Sequence, residues 1–162
     1  MPEDMLASLL HAALPWVSPQ GRAIIDALAP ARDRIASPSL LAVRLGFRDR
    51  HHLARMLRRE GLPPYAELAA WTRLLAWTVA WEDAGTSLSR SALDTLTDPA
   101  VCYRAVKRLT GIRWREVCKR GTPWVLAQLR DRCRIPPAVR PSPAVGEAIA
   151  RRVSGASQKR AG

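Results

Sequence analysis

The 162-residue chain has few histidines and cysteines, three of each, and no recognisable catalytic arrangement of them. Its three cysteines, Cys102, Cys118 and Cys133, stand 16 and 15 residues apart, with no C-x-x-C pair and no histidine near any of them. Zinc ligands come in close pairs, so no metal is expected, and well-separated thiols of odd number read as buried free cysteine. No Ser/His/Asp or Cys/His constellation emerges, no glycine loop cradles a phosphate, and carboxylates are sparse. These absences argue against an enzyme and against a cofactor. No apolar run approaches the ~18 residues of a membrane span, and no basic segment leads into an apolar core at the N-terminus. A cytoplasmic chain that engages no membrane is the expectation. One phenylalanine stands against six tryptophans, which points to interhelical contacts anchored by indole rings.

Positive charge is what the chain has in excess. Twenty-six Lys and Arg against fourteen Asp and Glu give +12, which calls for a polyanionic partner, nucleic acid first and an anionic membrane surface second. The excess is not uniform. Residues 1–42 have net charge −1, 43–60 +4, 61–98 −3, 99–120 +6 and 121–162 +6. Two basic blocks therefore flank an acidic middle, as a bipartite anion-binding surface would require.

Helical periodicity runs through most of the chain and no strand pattern appears, so the fold class is all-α. Residues 3–14 place Leu6, Leu9, Leu10 and Leu14 on one face, and 15–21 read as a break before Ile24, Ile25 and Leu28. Ser37-Pro38 is a helix start, and Gly46 ends that helix near residue 45. A short helix over 49–60 follows, then a longer one over 65–84 with Leu68, Trp71, Leu74, Leu75, Thr78 and Trp81 on one face. At 1.5 Å per residue the longer helix is a rod of roughly 30 Å. Trp71, Trp77 and Trp81 read as core rather than as stacking platforms. Further helices are expected over 87–96, 99–110 and 123–134, and Trp124 is placed to dock the last of them. Residues 136–162, rich in Pro, Ala, Ser and Arg, read as a disordered basic tail with a transient turn near 145–153.

The chain also repeats itself. DRHHLARMLRREGLPPYAEL (49–68) aligns with DPAVCYRAVKRLTGIRWREV (98–117). Asp49 matches Asp98, Arg55 matches Arg104, Arg58-Arg59 match Lys107-Arg108, and Leu53, Met56 and Leu57 fall on Cys102, Ala105 and Val106. Thr110 is an insertion that brings Gly61 onto Gly111. The implied architecture is two helix–turn–helix units, 37–64 and 86–120, joined by the linker helix 65–84. Residues 1–36 form an N-terminal helical extension and 121–135 a C-terminal helix. Reading helices set a rod-length apart would suit successive major grooves of DNA, which lie ~34 Å apart.

LAVRLGFRDRHHLARMLRREG resembles the DNA-binding domain of the AraC/XylS family: Leu-Ala, a short helix, Gly-Phe, a polar turn, then an apolar–x–Arg core and a basic end. The resemblance covers residues 36–120 and extends to the repeat and the linker helix. The second unit departs from it. Thr95-Leu96 stand where the family favours Gly-Phe, and pairing Ala92 with Ala42 needs a one-residue deletion in the turn. Some 36 preceding residues are too few for the family's usual effector-binding β-barrel, so no ligand control within the chain is expected.

The resemblance implies a sequence-specific transcription regulator that binds double-stranded DNA as a monomer, with RNA polymerase or a separate sensor protein as further partners and a nucleoid-associated location. It puts His51, Ala54 and Arg55 at base-reading positions, with Arg50 close by. Together with Arg58 the first three form an i, i+3, i+4, i+7 stripe opposite the apolar face. Arg48, Arg58 and Arg59 suit phosphate, which positions without specifying. In the second unit the stripe is Ala100, Tyr103, Arg104 and Lys107, with Arg108, Arg113 and Arg115 adding electrostatic grip. Specificity is expected mainly from the first unit. The alternative is a module of the same fold that binds a protein, or DNA without sequence preference; RNA ranks third, because no exposed aromatic platform is evident.

Overall fold

A computed structural model describes residues 3–29 and 37–135. Expectations for the tail beyond 135 and for residues 30–36 lie outside the described residues. Within them the chain is all-helical, with eight helices and no strand: α1 Glu3–Ala13, α2 Pro19–Leu28, α3 Pro38–Arg44, α4 Arg50–Arg59, α5 Tyr65–Ala84, α6 Leu88–Asp94, α7 Pro99–Thr110 and α8 Trp114–Arg132. No helix among these residues is long and apolar enough to cross a membrane.

Two of these helices start on a serine followed by proline, and a third resumes on a threonine followed by proline. Ser37 accepts from the Leu40 N–H ahead of Pro38, as expected. Ser18 accepts from the Gly21 N–H ahead of Pro19, so α2 begins inside the stretch read as a break. Thr122-Pro123 is the third, and it restarts α8 after Gly121, whose φ of 76° and ψ of −179° interrupt the helix. The first half of α8, from Trp114 to the Gly121 break, was not expected as a helix. Trp114 and Val117 of that half are buried, and Val125 and Leu129 carry the core along the second half.

α5 is buried on more than the one face expected. Leu68, Ala69, Trp71, Thr72, Leu74, Leu75, Trp77, Thr78 and Val79 are all buried, and at 100° per residue they occupy nearly every direction around the axis. Thr72 and Thr78 fit this setting because their hydroxyls donate to the carbonyls of Leu68 and Leu74, at 2.9 and 2.8 Å. Trp81 differs from expectation. It lies at the open end of α5 and is 38% exposed. α8 packs along α5, and α1 packs on both α2 and α8, so Leu6, Leu10, Leu14, Ile24 and Ile25 share one core with the rest. His11 joins α1 to α2, its Nε2 lying 3.0 Å from Asp26 Oδ1.

Two carboxylates fasten these helices by the same device. Glu60, capping α4, accepts from the Ser18 N–H at 2.8 Å and from the Ser18 hydroxyl at 2.6 Å. Trp16 Nε1 donates to the Glu60 carbonyl, and the Arg134 N–H donates to the Gly61 carbonyl at 2.7 Å. The N-terminal helices, α4 and the end of α8 therefore meet at Glu60-Gly61. Near the far end of α5, Glu82 accepts from the Thr122 N–H and from the Thr122 hydroxyl, both at 2.7 Å. A Cβ at residue 121 would push that carboxylate aside, so glycine favours the Glu82–Thr122 bonds as well as the positive φ.

Replacing Glu82 by Ala removes both acceptors from the start of α8's second half and should cost roughly 1–2 kcal/mol. Thr122→Ala should add little on that background, because the two residues make one interaction. Urea denaturation of the two single variants and the double variant measures the coupling; fully additive losses would show that Glu82 acts otherwise.

Candidate nucleic-acid interface

The pair α3–α4 is closed by a turn with a complete hydrogen-bond signature. The Gly46 N–H donates to the Val43 carbonyl (3.1 Å) and the Phe47 N–H to the Ala42 carbonyl (2.8 Å), with Gly46 at φ 73°. Phe47 is buried beneath the turn and meets the His52 ring edge-on, with centroids 5.1 Å apart. The Arg48 N–H lies 3.4 Å from His52 Nδ1, so His52 braces the turn. Asp49 starts α4, its Oδ1 accepting from the His52 N–H at 2.7 Å. That bond, foremost, holds the Asp49 carboxyl below its ordinary value, with His51 and Arg48 adding to the effect.

α4 then divides cleanly into two faces. Leu53, Met56 and Leu57 are buried, whereas Arg48, Arg50, His51, Ala54, Arg55, Arg58 and Arg59 are all exposed. None of these arginines forms an ion pair among the described residues; the pairs there are His11–Asp26, Arg90–Asp94 and Lys119–Glu116. An unpaired basic row on one face of a helix is a surface that anions can reach without displacing internal partners.

The pair α6–α7 carries the same turn. The Leu96 N–H donates to the Leu93 carbonyl (3.0 Å) and the Thr97 N–H to the Ala92 carbonyl (2.9 Å), atom for atom the pattern of the first pair. Leu96 takes the left-handed conformation, φ 53°, that Gly46 takes there. The correspondence is therefore Leu96-Thr97 with Gly46-Phe47, not Thr95-Leu96 as the sequence register suggests. The missing residue falls next: Asp98 follows Thr97 directly and starts α7, its Oδ1 accepting from the Ala100 N–H at 2.9 Å. Arg48 consequently has no counterpart in the second pair.

On α7, Cys102 and Val106 are buried, and Ala100, Tyr103, Arg104, Lys107 and Arg108 are exposed. Tyr103 is less free than its exposure suggests, because its hydroxyl lies 3.3 Å from Ser89 Oγ on α6. Arg113 and Arg115 are exposed at the start of α8, close in sequence to this row. The structure thus turns every basic candidate outward. α7 lies against the middle of α5, with Ala105–Leu109 facing Ala70–Trp77 across a crevice of about 30 Å3. Arg73, on the α5 side of that crevice, was not among the residues the sequence singled out.

No family model, no curated protein and no solved structure matches the chain.

Other chemistry finds little footing among the described residues. No group of three or more His, Cys, Asp or Glu is placed to hold a metal ion. Burial pushes all three thiols up, Cys133 to about 12, which keeps them protonated at neutral pH and poor as nucleophiles. At Cys102 the charge of Arg73 opposes that shift without cancelling it.

Leu96→Gly should stabilise the protein by about 1 kcal/mol. It removes a left-handed leucine and sacrifices no burial, since Leu96 is 94% exposed. An unchanged or lowered urea midpoint would show that the leucine side chain has compensating contacts. Asp49 supplies a pH test. Its folded-state carboxyl lies below the unfolded value of about 3.9, so its contribution is present above that pH and lost as pH falls through the folded pKa. Asp49→Asn keeps a capping oxygen but does not titrate, so its Tm should fall less steeply than the parent's between about pH 5 and 2.

Proposed function

We propose that the chain is a sequence-specific, double-stranded DNA-binding transcription regulator of AraC/XylS type, with α3–α4 and α6–α7 as its helix–turn–helix units. The duplicated turn supports this reading most: two helix pairs share the same backbone hydrogen bonds, each leads from an aspartate cap into a helix, and each helix buries one apolar stripe and exposes one basic row. The local excesses of +4 over residues 43–60 and +6 over 99–120, within a net charge of +12, agree with a polyanion as ligand.

In this reading α4 enters one major groove and α7 another segment on the same side. Arg55 chelates guanine O6 and N7, His51 and Ala54 touch neighbouring base edges, and Arg48, Arg50, Arg58 and Arg59 grip the backbone. Arg104 is the base reader of α7, with Ala100 beside it. Tyr103, tied to Ser89, contacts the backbone at most, and Lys107 and Arg108 bind phosphate. The protein acts as a monomer on an asymmetric site in the cytoplasm, on the nucleoid, with RNA polymerase or a separate sensor as its protein partner.

A second reading, a protein-interaction module of the same fold, is favoured by one observation. Leu40 and Val43 on α3 and Leu93 and Leu96 on α6 and its turn are 49, 71, 59 and 94% exposed.

Selection from random duplexes at fixed salt separates the two. DNA reading predicts an enriched motif, binding weakened about 10- to 100-fold by Arg55→Ala with lost preference at one base pair, and a steep fall in affinity with salt. Equal binding to all duplexes would overturn sequence specificity in favour of the second reading.

A further inference from the structure

α5 carries one cation in twenty residues, Arg73, near its midpoint. Its remaining charges are Glu67, Glu82 and Asp83. An isolated arginine on a helix otherwise given over to the core has no evident packing task, and Arg73 is exposed. It borders the crevice between α5 and α7, floored by Leu74, Trp77, Val106 and Leu109, with Arg108 on the other side. Neither guanidinium has an ion-pair partner among the described residues. Two unpaired cations beside one apolar crevice repel each other, and the low-dielectric wall strengthens the field each presents to an approaching anion.

The placement on α7 indicates which anion fits. Four residues make one turn plus about 40°, so Arg108 stands beside Arg104, displaced toward α5. A helix that offers Arg104 to base edges therefore brings Arg108, and Arg73 behind it, to the rim of the groove, where the backbone runs. The crevice is floored by apolar side chains, so the cationic contacts it offers an anion come from Arg73 and Arg108. We infer that Arg73 and Arg108 together clamp one backbone phosphodiester of the bound duplex, making the central helix a third point of contact besides the two reading helices. This rests on the reading that α7 enters DNA. Two guanidinium forks suit the two free oxygens of a phosphodiester, each bonded in a charge-assisted way.

The test uses the selected duplex with the wild-type chain, Arg73→Ala, Arg73→Lys and Arg108→Ala. Affinity is measured across a salt series and on duplexes with one neutral methylphosphonate moved along each strand. Arg73→Ala should make the slope of log K against log salt shallower by about one, leave base preference unchanged, and keep the wild-type melting curve. The wild type should lose affinity at one particular neutral linkage to which Arg73→Ala and Arg108→Ala are both indifferent, with Arg73→Lys between them. A wild-type slope and linkage profile in Arg73→Ala overturns the clamp while leaving the DNA reading intact. If the wild type binds duplexes without an enriched motif, the slope comparison on a random duplex still decides the clamp. A wild type that binds no duplex overturns both. Inorganic phosphate that raises the Tm of the wild type and not of Arg73→Ala, with equal DNA slopes, would assign the crevice to a free phosphate and overturn the backbone contact.

Discussion

The core of this molecule is organised around one helix, α5, which is buried along much of its length. α5 buries leucine, tryptophan, valine and even threonine around nearly its whole circumference, which a helix can do only when neighbours cover it on several sides. α8 runs along it, α6 and α7 lean on it, and the Glu60-Gly61 junction ahead of its first turn gathers the N-terminal helices and the end of α8. Truncating Trp71, which is 1% exposed, would remove the largest side chain from that centre, a change of the type that costs ~3–5 kcal/mol. The outer helices add contacts in pairs, α1 with α2, α3 with α4 and α6 with α7, and turn their charged faces outward.

The two carboxylate caps solve a problem that such a core creates. Helices that converge on one centre must start and stop inside the protein, where free N–H groups lack water. Ser18 and Thr122 each sit ahead of a proline, and each gives its N–H and hydroxyl to a glutamate from a distant helix. One glutamate therefore satisfies two donors and fixes the relative position of two elements at once. In both places a glycine lies close by: a Cβ at Gly121 would meet the Glu82 carboxylate, and one at Gly21 would meet the Val17 side chain first and the Glu60 carboxylate next.

Much of this was legible in the residues, and the failures have identifiable physical causes. Apolar spacing located α4, α5 and α7 to within a residue or two, because their buried stripes are long and regular. The first half of α8 went unseen because Gly121 and Pro123 look like a helix boundary, whereas the chain merely breaks and resumes. The repeat held the missing signal, since it pairs residues 114–117 with the start of α5. The position of the left-handed residue in the second turn was misjudged for a different reason. Glycine usually marks it, and here the hydrogen bonds around the turn hold a leucine in that conformation instead. Arg73 had no local signature at all, because its setting exists only once α7 lies against α5.

The two helix pairs, alike in backbone, differ in what they bury. The first puts Leu41, Phe47, Leu53, Met56, Leu57 and Leu62 inside, whereas the second relies on Leu88, Ala92, Cys102 and Val106 and carries the strained Leu96. Smaller side chains and a leucine in a glycine's conformation leave the second pair with less free energy holding it shut. Native-state hydrogen exchange should accordingly divide the molecule into a slow-opening part around α5 and the first pair and a fast-opening part around α6 and the N-terminal turn of α7. In the proposed reading, DNA bound to α7 would then do some of the work of folding it, so affinity there and local order would rise and fall together.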